Sequence, residues 1–247
     1  MKVRKILSIA VLSALLAACS SSGGSSGGGG GSSTVVPEKT IDINSDLGLT
    51  TLNGKTGDYD FSTLSNGKTE LPATKGTLSG TLLVYQQPYS VITGEIWNHN
   101  SGTPGEVISA SHSFGSATPW SAHQKRIGED AWFTYKGVAY HGKEQGTLNY
   151  DMFFGKRQGG GSITGFSRTG TIDLLLAQLE NDGVIRGWAN LDKERGSGTG
   201  KYELSFFGPD ADEIAGKVYD TGNGILGNNE IIFAGTAEQK YVPPKLP

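Results

Sequence analysis

Strict alternation of apolar and polar positions dominates the second half of this chain. Over 145–154, Leu148, Tyr150, Met152 and Phe154 fall on one face, and Thr147, Asn149 and Asp151 on the other. Over 200–207, Tyr202, Leu204 and Phe206 alternate with Lys201, Glu203 and Ser205. Ile172, Leu174 and Leu176 alternate with Thr171 and Asp173, although Leu175 spoils the outer face. A period of two with one apolar face is a sheet with one side on a core and the other in water. Eight such segments are predicted, near 131–140, 146–154, 160–166, 171–178, 184–191, 200–207, 213–219 and 230–237. The joints between them, at 156–161, 181–183, 196–200 and 222–229, are rich in Gly, Asn and Asp. Eight short strands joined by hairpins fit an up-and-down barrel, which closes the sheet and removes its edges. Such a barrel fills its interior with side chains or holds one small ligand.

The preceding stretch is less regular. Segments 76–85 and 89–97 read as paired strands across Gln86-Gln87-Pro88, and 106–114 as a third. Alternation is weaker over 42–65, where Asn, Gly and Asp mark turns. This predicts a looser β-domain over 38–129 and an eight-stranded barrel over 130–247. The 38 glycines, about twice the usual roughly 7%, punctuate short apolar runs. No long stretch repeats apolar residues at helical spacing without a Gly or Pro intruding.

The first residues follow another logic. Lys2, Arg4 and Lys5 precede an apolar run over 6–14 broken only by Ser8 and Ser13, and small residues lead to Cys19. A basic start, a short apolar core and small residues before a cut site make a secretory signal, expected over 1–18. The run is too short for a permanent membrane helix, which needs roughly 20 residues. Residues 20–33 are only Ser and Gly, a flexible coil with an r.m.s. span of about 20 Å. With Cys19 they make a tether over 19–37. The whole chain has a formal net charge of −3, and losing the three signal cations makes it more negative. That balance disfavours nucleic acid and anionic lipid surfaces as partners.

Candidate chemistry is sparse. His99, His112, His123 and His141 show no zinc-ligand spacing, and Cys19 is the only cysteine. No G-x-S-x-G elbow stands beyond the Ser/Gly tract. The glycine-rich 196–201 stretch has the wrong spacing for a phosphate loop, and Tyr202 stands where Ser or Thr is needed. Carboxylate pairs such as Asp210/Asp212 and Glu129/Asp130 fall in turns. Neither a catalytic nor a metal site is expected, nor a cofactor. Aromatics remain. Trp97, Trp120, Trp132 and Trp188 are all candidates for the core, Trp132 above the others. Trp120 sits in a loop after Pro119, where an exposed aromatic marks a contact. If Ile185 points into the barrel, Arg186 and Trp188 point out, and such a pair resembles a binding hot spot.

Two resemblances extend this reading. Leu16-Ala17-Ala18-Cys19 resembles the lipobox of bacterial lipoproteins, which implies lipidation of Cys19 and cleavage before it; the alternative is an ordinary signal with an incidental cysteine. Ser20 is not the Asp that inner-membrane lipoproteins usually carry, so the resemblance implies the outer membrane. Further on come Arg126-Ile127-Gly128-Glu129, the run Ala131 to Tyr140, Gly146 to Phe154, Gln158-Gly159-Gly160-Gly161, Gly200 to Gly208 and Glu213-Ile214-Ala215-Gly216. Their order resembles the carboxy-terminal barrel of the factor H-binding protein family of surface lipoproteins. Val84 to Thr93 resembles a segment of that family's amino-terminal domain. The related barrels of transferrin-binding and haem-scavenging lipoproteins share the design.

The resemblance implies an all-β chain of two tandem β-barrel domains, an irregular N-terminal barrel and an eight-stranded antiparallel up-and-down C-terminal barrel. It implies export by an outer-membrane lipoprotein translocator, cell-surface display and capture of a host complement regulator, with roles in complement evasion and virulence and use as a vaccine antigen. Two acidic residues that help the family hold factor H correspond here to Gly198 and Tyr219, so factor I becomes a comparable partner to factor H. The expected function is binding of a host serum protein. The alternatives are capture of haem or an iron-carrier protein, and a structural lipoprotein without a soluble ligand. Trp120, Arg186, Trp188, Gly198 and Tyr219 are the candidate partner-binding residues, and Cys19 the lipidation site.

Overall fold

The computed structural model describes residues 41–42, 51–52, 55–56, 59–61, 64–98, 112–114, 131–167, 169–191, 198–220, 226 and 230–241. Cys19 and Trp120 lie outside them, as do residues 106–111 of the third predicted strand. The chain divides into two units, Met1–Pro37 and Glu38–Pro247, and every described residue belongs to the second.

The eight predicted barrel strands all form. After the short β1 (Ile41–Asp42), β2 (Thr51–Leu52), β3 (Lys55–Thr56) and β4 (Tyr59–Asp60) come β5 (Gly67–Lys75), β6 (Leu78–Gln86), β7 (Val91–Asn98) and β8 (His112–Phe114). The barrel follows as β9 (Trp132–His141), β10 (Glu144–Phe153), β11 (Gln158–Phe166), β12 (Gly170–Gln178), β13 (Val184–Leu191), β14 (Gly198–Phe207), β15 (Glu213–Asp220) and β16 (Ile231–Tyr241). Neighbours in sequence are neighbours in the sheet, all antiparallel, and β16 closes onto β9. No α-helix occurs among the described residues.

The barrel interior is filled by side chains. Phe133, Tyr135, Leu148, Tyr150, Met152, Ile163, Ile172, Leu174, Ile185, Tyr202, Leu204, Phe206, Ile214 and Phe233 belong to one buried cluster. Two tyrosines fit because glycines face them. Tyr202 pairs across the ladder with Gly187, where an added Cβ would lie 2.3 Å from its ring. Gly159 gives Tyr150 the same room at 2.6 Å. The Tyr202 hydroxyl donates to the Leu175 carbonyl at 2.7 Å and the Tyr135 hydroxyl to that of Ala211 at 2.7 Å, so both buried phenols are satisfied.

Two sequence expectations fail locally. Leu176 does not continue the inward series of Ile172 and Leu174, but is 63% exposed. The β11–β12 register slips between Gly159 and Gly161, so both Leu175 and Leu176 turn outward while Ala177 resumes packing on the core. A bulge adds one residue and reverses the parity beyond it. Trp132 is not a core residue. Phe133 and Tyr135 take the inward positions, which leaves Trp132 outside, half-buried beside Phe153 at 6.2 Å between ring centroids.

The amino-terminal part is a five-stranded sheet in the order β1-β5-β6-β7-β8 and a three-stranded one, β2-β3-β4. The predicted pairing across Gln86-Gln87-Pro88 is the β6–β7 hairpin. Both faces of the larger sheet carry apolar side chains. One face packs Leu71, Leu82, Val84, Val91 and Trp97 around Phe61. The other places Leu83, Ile92 and Ile96 on Tyr140, Phe207, Ala215, Ile232 and Ala234, on the outside of the barrel.

A carboxylate fastens this contact. Glu213, at the start of β15, is only 1% exposed. Its oxygens accept from the Tyr89 N–H at 3.1 Å and the Ser90 hydroxyl at 2.8 Å. Gln87 Nε2 donates to Ser90 Oγ at 2.7 Å and lies 3.5 Å from Glu213 Oε2. The whole β6–β7 turn is thereby clipped to the barrel. Burial pushes the Glu213 carboxyl above its ordinary value despite these donors.

Candidate partner-binding face

Strands β13, β14 and β15 bring three of the sequence-predicted residues onto one outer surface. Trp188 lies opposite Lys201, and Lys201 opposite Tyr219, so the three form a single row across the ladder. One row along, Arg186 faces Glu203, and Glu203 faces Lys217. Cross-strand neighbours on one face have Cβ atoms about 4.5–5.5 Å apart, within reach of each other's side chains. Ile185 and Ala189 are buried in the barrel, which is why Arg186 and Trp188 point outward. Trp188 is 53% exposed.

The charges of this face are unevenly committed. Arg186 is gripped by Glu180 at 2.6 Å and Asp182 at 2.9 Å, both in the β12–β13 turn. The hydrogen bond from Arg186, seconded by the Val184 N–H, holds the Asp182 carboxyl below its usual value. Lys217 pairs with Glu230 at 3.0 Å, approaches Glu203 at 3.7 Å and lies 5.4 Å above the Tyr219 ring. Lys201 lies 5.2 Å from the centre of the Trp188 ring. It has no carboxylate within ion-pairing distance among the described residues.

Gly198 is placed differently. It opens β14 opposite Leu191, is buried, and shares the parity of Gly200 and Tyr202 and not of Lys201. Leu175, 40% exposed, and Leu176 extend the face on β12: the Leu174–Ala189 pair sets Leu175 one step from Trp188. The sequence reading did not single out Lys201, Leu175 or Leu176 as site residues. The alternation of Lys201 with Tyr202 was the available signal for the first.

Of the histidines, His141 ends β9 with its ring edge-on to Phe166 at 5.9 Å. His112 is in β8, and His99 and His123 lie outside the described residues. Among the described residues, no three His, Cys, Asp or Glu side chains gather as a metal site would require.

Residues 125–218 match the family model described as "Factor H binding protein, C-terminal". No curated protein sequence matches the chain. Among solved structures, the chain is similar to HpuA from Kingella denitrificans in complex with human haemoglobin, at 16% identity and a TM-score of 0.53, over 74% of this chain and 69% of that one. The apo form of the same haemoglobin receptor gives 16% identity and a TM-score of 0.53, over 74% of this chain and 70% of that one. Transferrin binding protein B from serogroup B Neisseria meningitidis has 15% identity and a TM-score of 0.47, over 75% of this chain and 37% of that one. The family match over 125–218 and the closed eight-stranded barrel agree with the sequence resemblance to the factor H-binding protein family.

Proposed function

We propose that the protein is a lipid-anchored lipoprotein displayed on the outer surface of a bacterial outer membrane, where it binds a host serum protein. The first choice of partner is a complement regulator, factor H or factor I, held for immune evasion. Cys19 carries the anchor, 20–33 the reach, and an outer-membrane lipoprotein translocator the export. The protein works as a binder and not as an enzyme. The observation that carries this reading is the outward-facing Trp188–Lys201–Tyr219 row, with Trp188 exposed and Tyr219 half-buried, on a barrel matched by the factor H binding protein family. An exposed tryptophan beside a cation is the composition of an interface hot spot. Positions Gly198 and Tyr219 lack the acids that the family resemblance associates with factor H, which keeps factor I in play.

Pull-down from host serum with the purified mature chain, followed by mass spectrometry, tests the proposal. Retention of a complement regulator is the expected result; retention of no serum protein overturns it. The second reading is capture of haem or an iron-carrier protein, supported by the fold shared with a haemoglobin receptor. For haem itself, absence of a Soret shift on addition to the protein disposes of it.

A further inference from the structure

We propose that Lys201, the cation of this face with no ion-pair partner among the described residues, is met by a carboxylate of the partner. The partner surface is an acidic side chain flanked by apolar ones, with Leu175, Leu176 and Trp188 as the apolar seat. This rests on the proposed host-protein binding and names the chemistry of the surface that is bound.

The argument begins with charge. On the outer strands of the barrel, cations are answered within the chain: Lys136 by Glu238 at 2.9 Å, Arg186 by Glu180 and Asp182, Lys217 by Glu230, and Lys240 by Asp212. Lys201 breaks the pattern. Its strand neighbours across the ladder are Trp188 and Tyr219, and neither is acidic. Its ammonium rests against the Trp188 ring, a contact that leaves its donors open to a hydrogen-bond acceptor. Lys201 is exposed in the free protein, and an ion pair formed under a bound partner would be less screened than one on an open surface.

Shape supports the same occupant. The bulge in β12 turns two consecutive leucines outward next to the tryptophan. A partner that supplied only charge would leave this ledge wet, and one that supplied only apolar surface would bury the ammonium unpaired, which is costly. An acidic residue among apolar ones answers both. Arg186, although also exposed, is excluded as the recognition cation, because recruiting it would break its two existing pairs.

The test uses the mature full chain immobilised on a sensor, with purified human factor H and factor I as probes in turn, and whole serum if neither binds. For whichever protein the parent retains, Lys201→Glu is expected to weaken affinity about tenfold to a hundredfold, with unchanged circular dichroism. Lys201→Arg is expected to restore it to within about threefold. The loss in Lys201→Glu is expected to shrink as salt rises from 0.1 to 1 M, since a paired charge at an interface is screened by salt. Arg186→Gln is expected to leave affinity within about twofold. Affinity unaltered by Lys201→Glu in a parent that binds overturns the Lys201 assignment alone. A parent that retains no serum protein overturns the binding function and this inference with it.

Discussion

Two walls of one barrel carry apolar residues on the outside, and they differ in what covers them. On the wall formed by β15, β16 and β9, Ala215, Ile232, Ala234 and Tyr140 lie under the amino-terminal sheet, with Phe207 of β14 beside them. On the wall formed by β12, β13 and β14, Leu175, Leu176 and Trp188 stand in solvent. Strand β15 passes from one regime to the other. Glu213 and Ala215 are buried beneath the sheet, while Lys217 and Tyr219, on the same outward parity, are not. An apolar outer position that the chain itself covers contributes to folding; one it leaves open is available for association. The same alternating code therefore serves stability at one end of a strand and recognition at the other.

The sharpest way to break this contrast is to empty a position on the covered wall. Phe207 is 1% exposed. Phe207→Ala is expected to cost about 3–5 kcal/mol, the range for removing a buried aromatic. Urea denaturation checks it. A loss below about 1 kcal/mol would mean that the sheet contributes little by resting there.

Next in size is the clip. Glu213→Ala removes the acceptor for the Tyr89 N–H and the Ser90 hydroxyl. Leaving such donors buried without a partner is expected to cost about 1–3 kcal/mol. Hydrogen exchange at the Tyr89 amide reads the same event locally, with protection expected to fall while the protection of the Tyr202 and Leu204 amides holds.

The clip also predicts a pH dependence opposite to that of ordinary paired acids. Burial raises the Glu213 carboxyl above its ordinary 4.5. The folded state therefore binds this proton more tightly than the unfolded chain. The stability this confers is complete below the ordinary value and is lost as pH rises through the folded one. Asp212 runs the other way. Burial pushes it up, but the Lys240 ammonium and the Asp210 N–H outweigh that and hold it low, so its contribution is lost as pH falls through its depressed value. Glu213→Gln cannot ionise. Its stability relative to the parent is expected to improve as pH rises from about 4.5 to 8, in denaturation series at each pH. A constant difference across that window would contradict the raised value.

How much of this was readable beforehand depends on the range of the cause. The eight strands were legible because a closed barrel imposes one inward and one outward series on nearly every strand, as with Tyr202, Leu204 and Phe206 against Lys201, Glu203 and Ser205. Leu176 was misplaced because its orientation depends on a register slip against β11, which period two does not encode. The direction of Arg186 and Trp188 followed from Ile185. That Arg186 is already spent did not, because Glu180 and Asp182 reach it by way of a turn. Glu213 went unnoticed as a clip for a plainer reason: its donors at Tyr89 and Ser90 are 124 and 123 residues away in sequence. Lys201 stood in plain view as an outward residue. Parity reports where a side chain points and is silent on whether anything there answers its charge.

The smallest expected effect on stability falls on the open wall, and it sharpens the comparison most. Leu176 is more exposed than any other large apolar side chain among the described residues. Leu176→Ala deletes no buried area of consequence, so its stability change is expected to lie within about 0.5 kcal/mol, the usual range for surface sites. Trp188→Ala gives up the Lys201 contact, worth about 0.5–1 kcal/mol at an exposed site, and little else. Yet each is expected to weaken association with the retained serum protein, Trp188→Ala by at least tenfold. The covered wall predicts the reverse ranking, with a large change in folding and none in the affinity of the surviving folded fraction. Residues whose truncation leaves folding untouched but abolishes binding have no structural role to explain their exposure. A Trp188→Ala variant that unfolds by several kcal/mol would instead place that side chain in the barrel's own packing, and the distinction between the two walls would be lost.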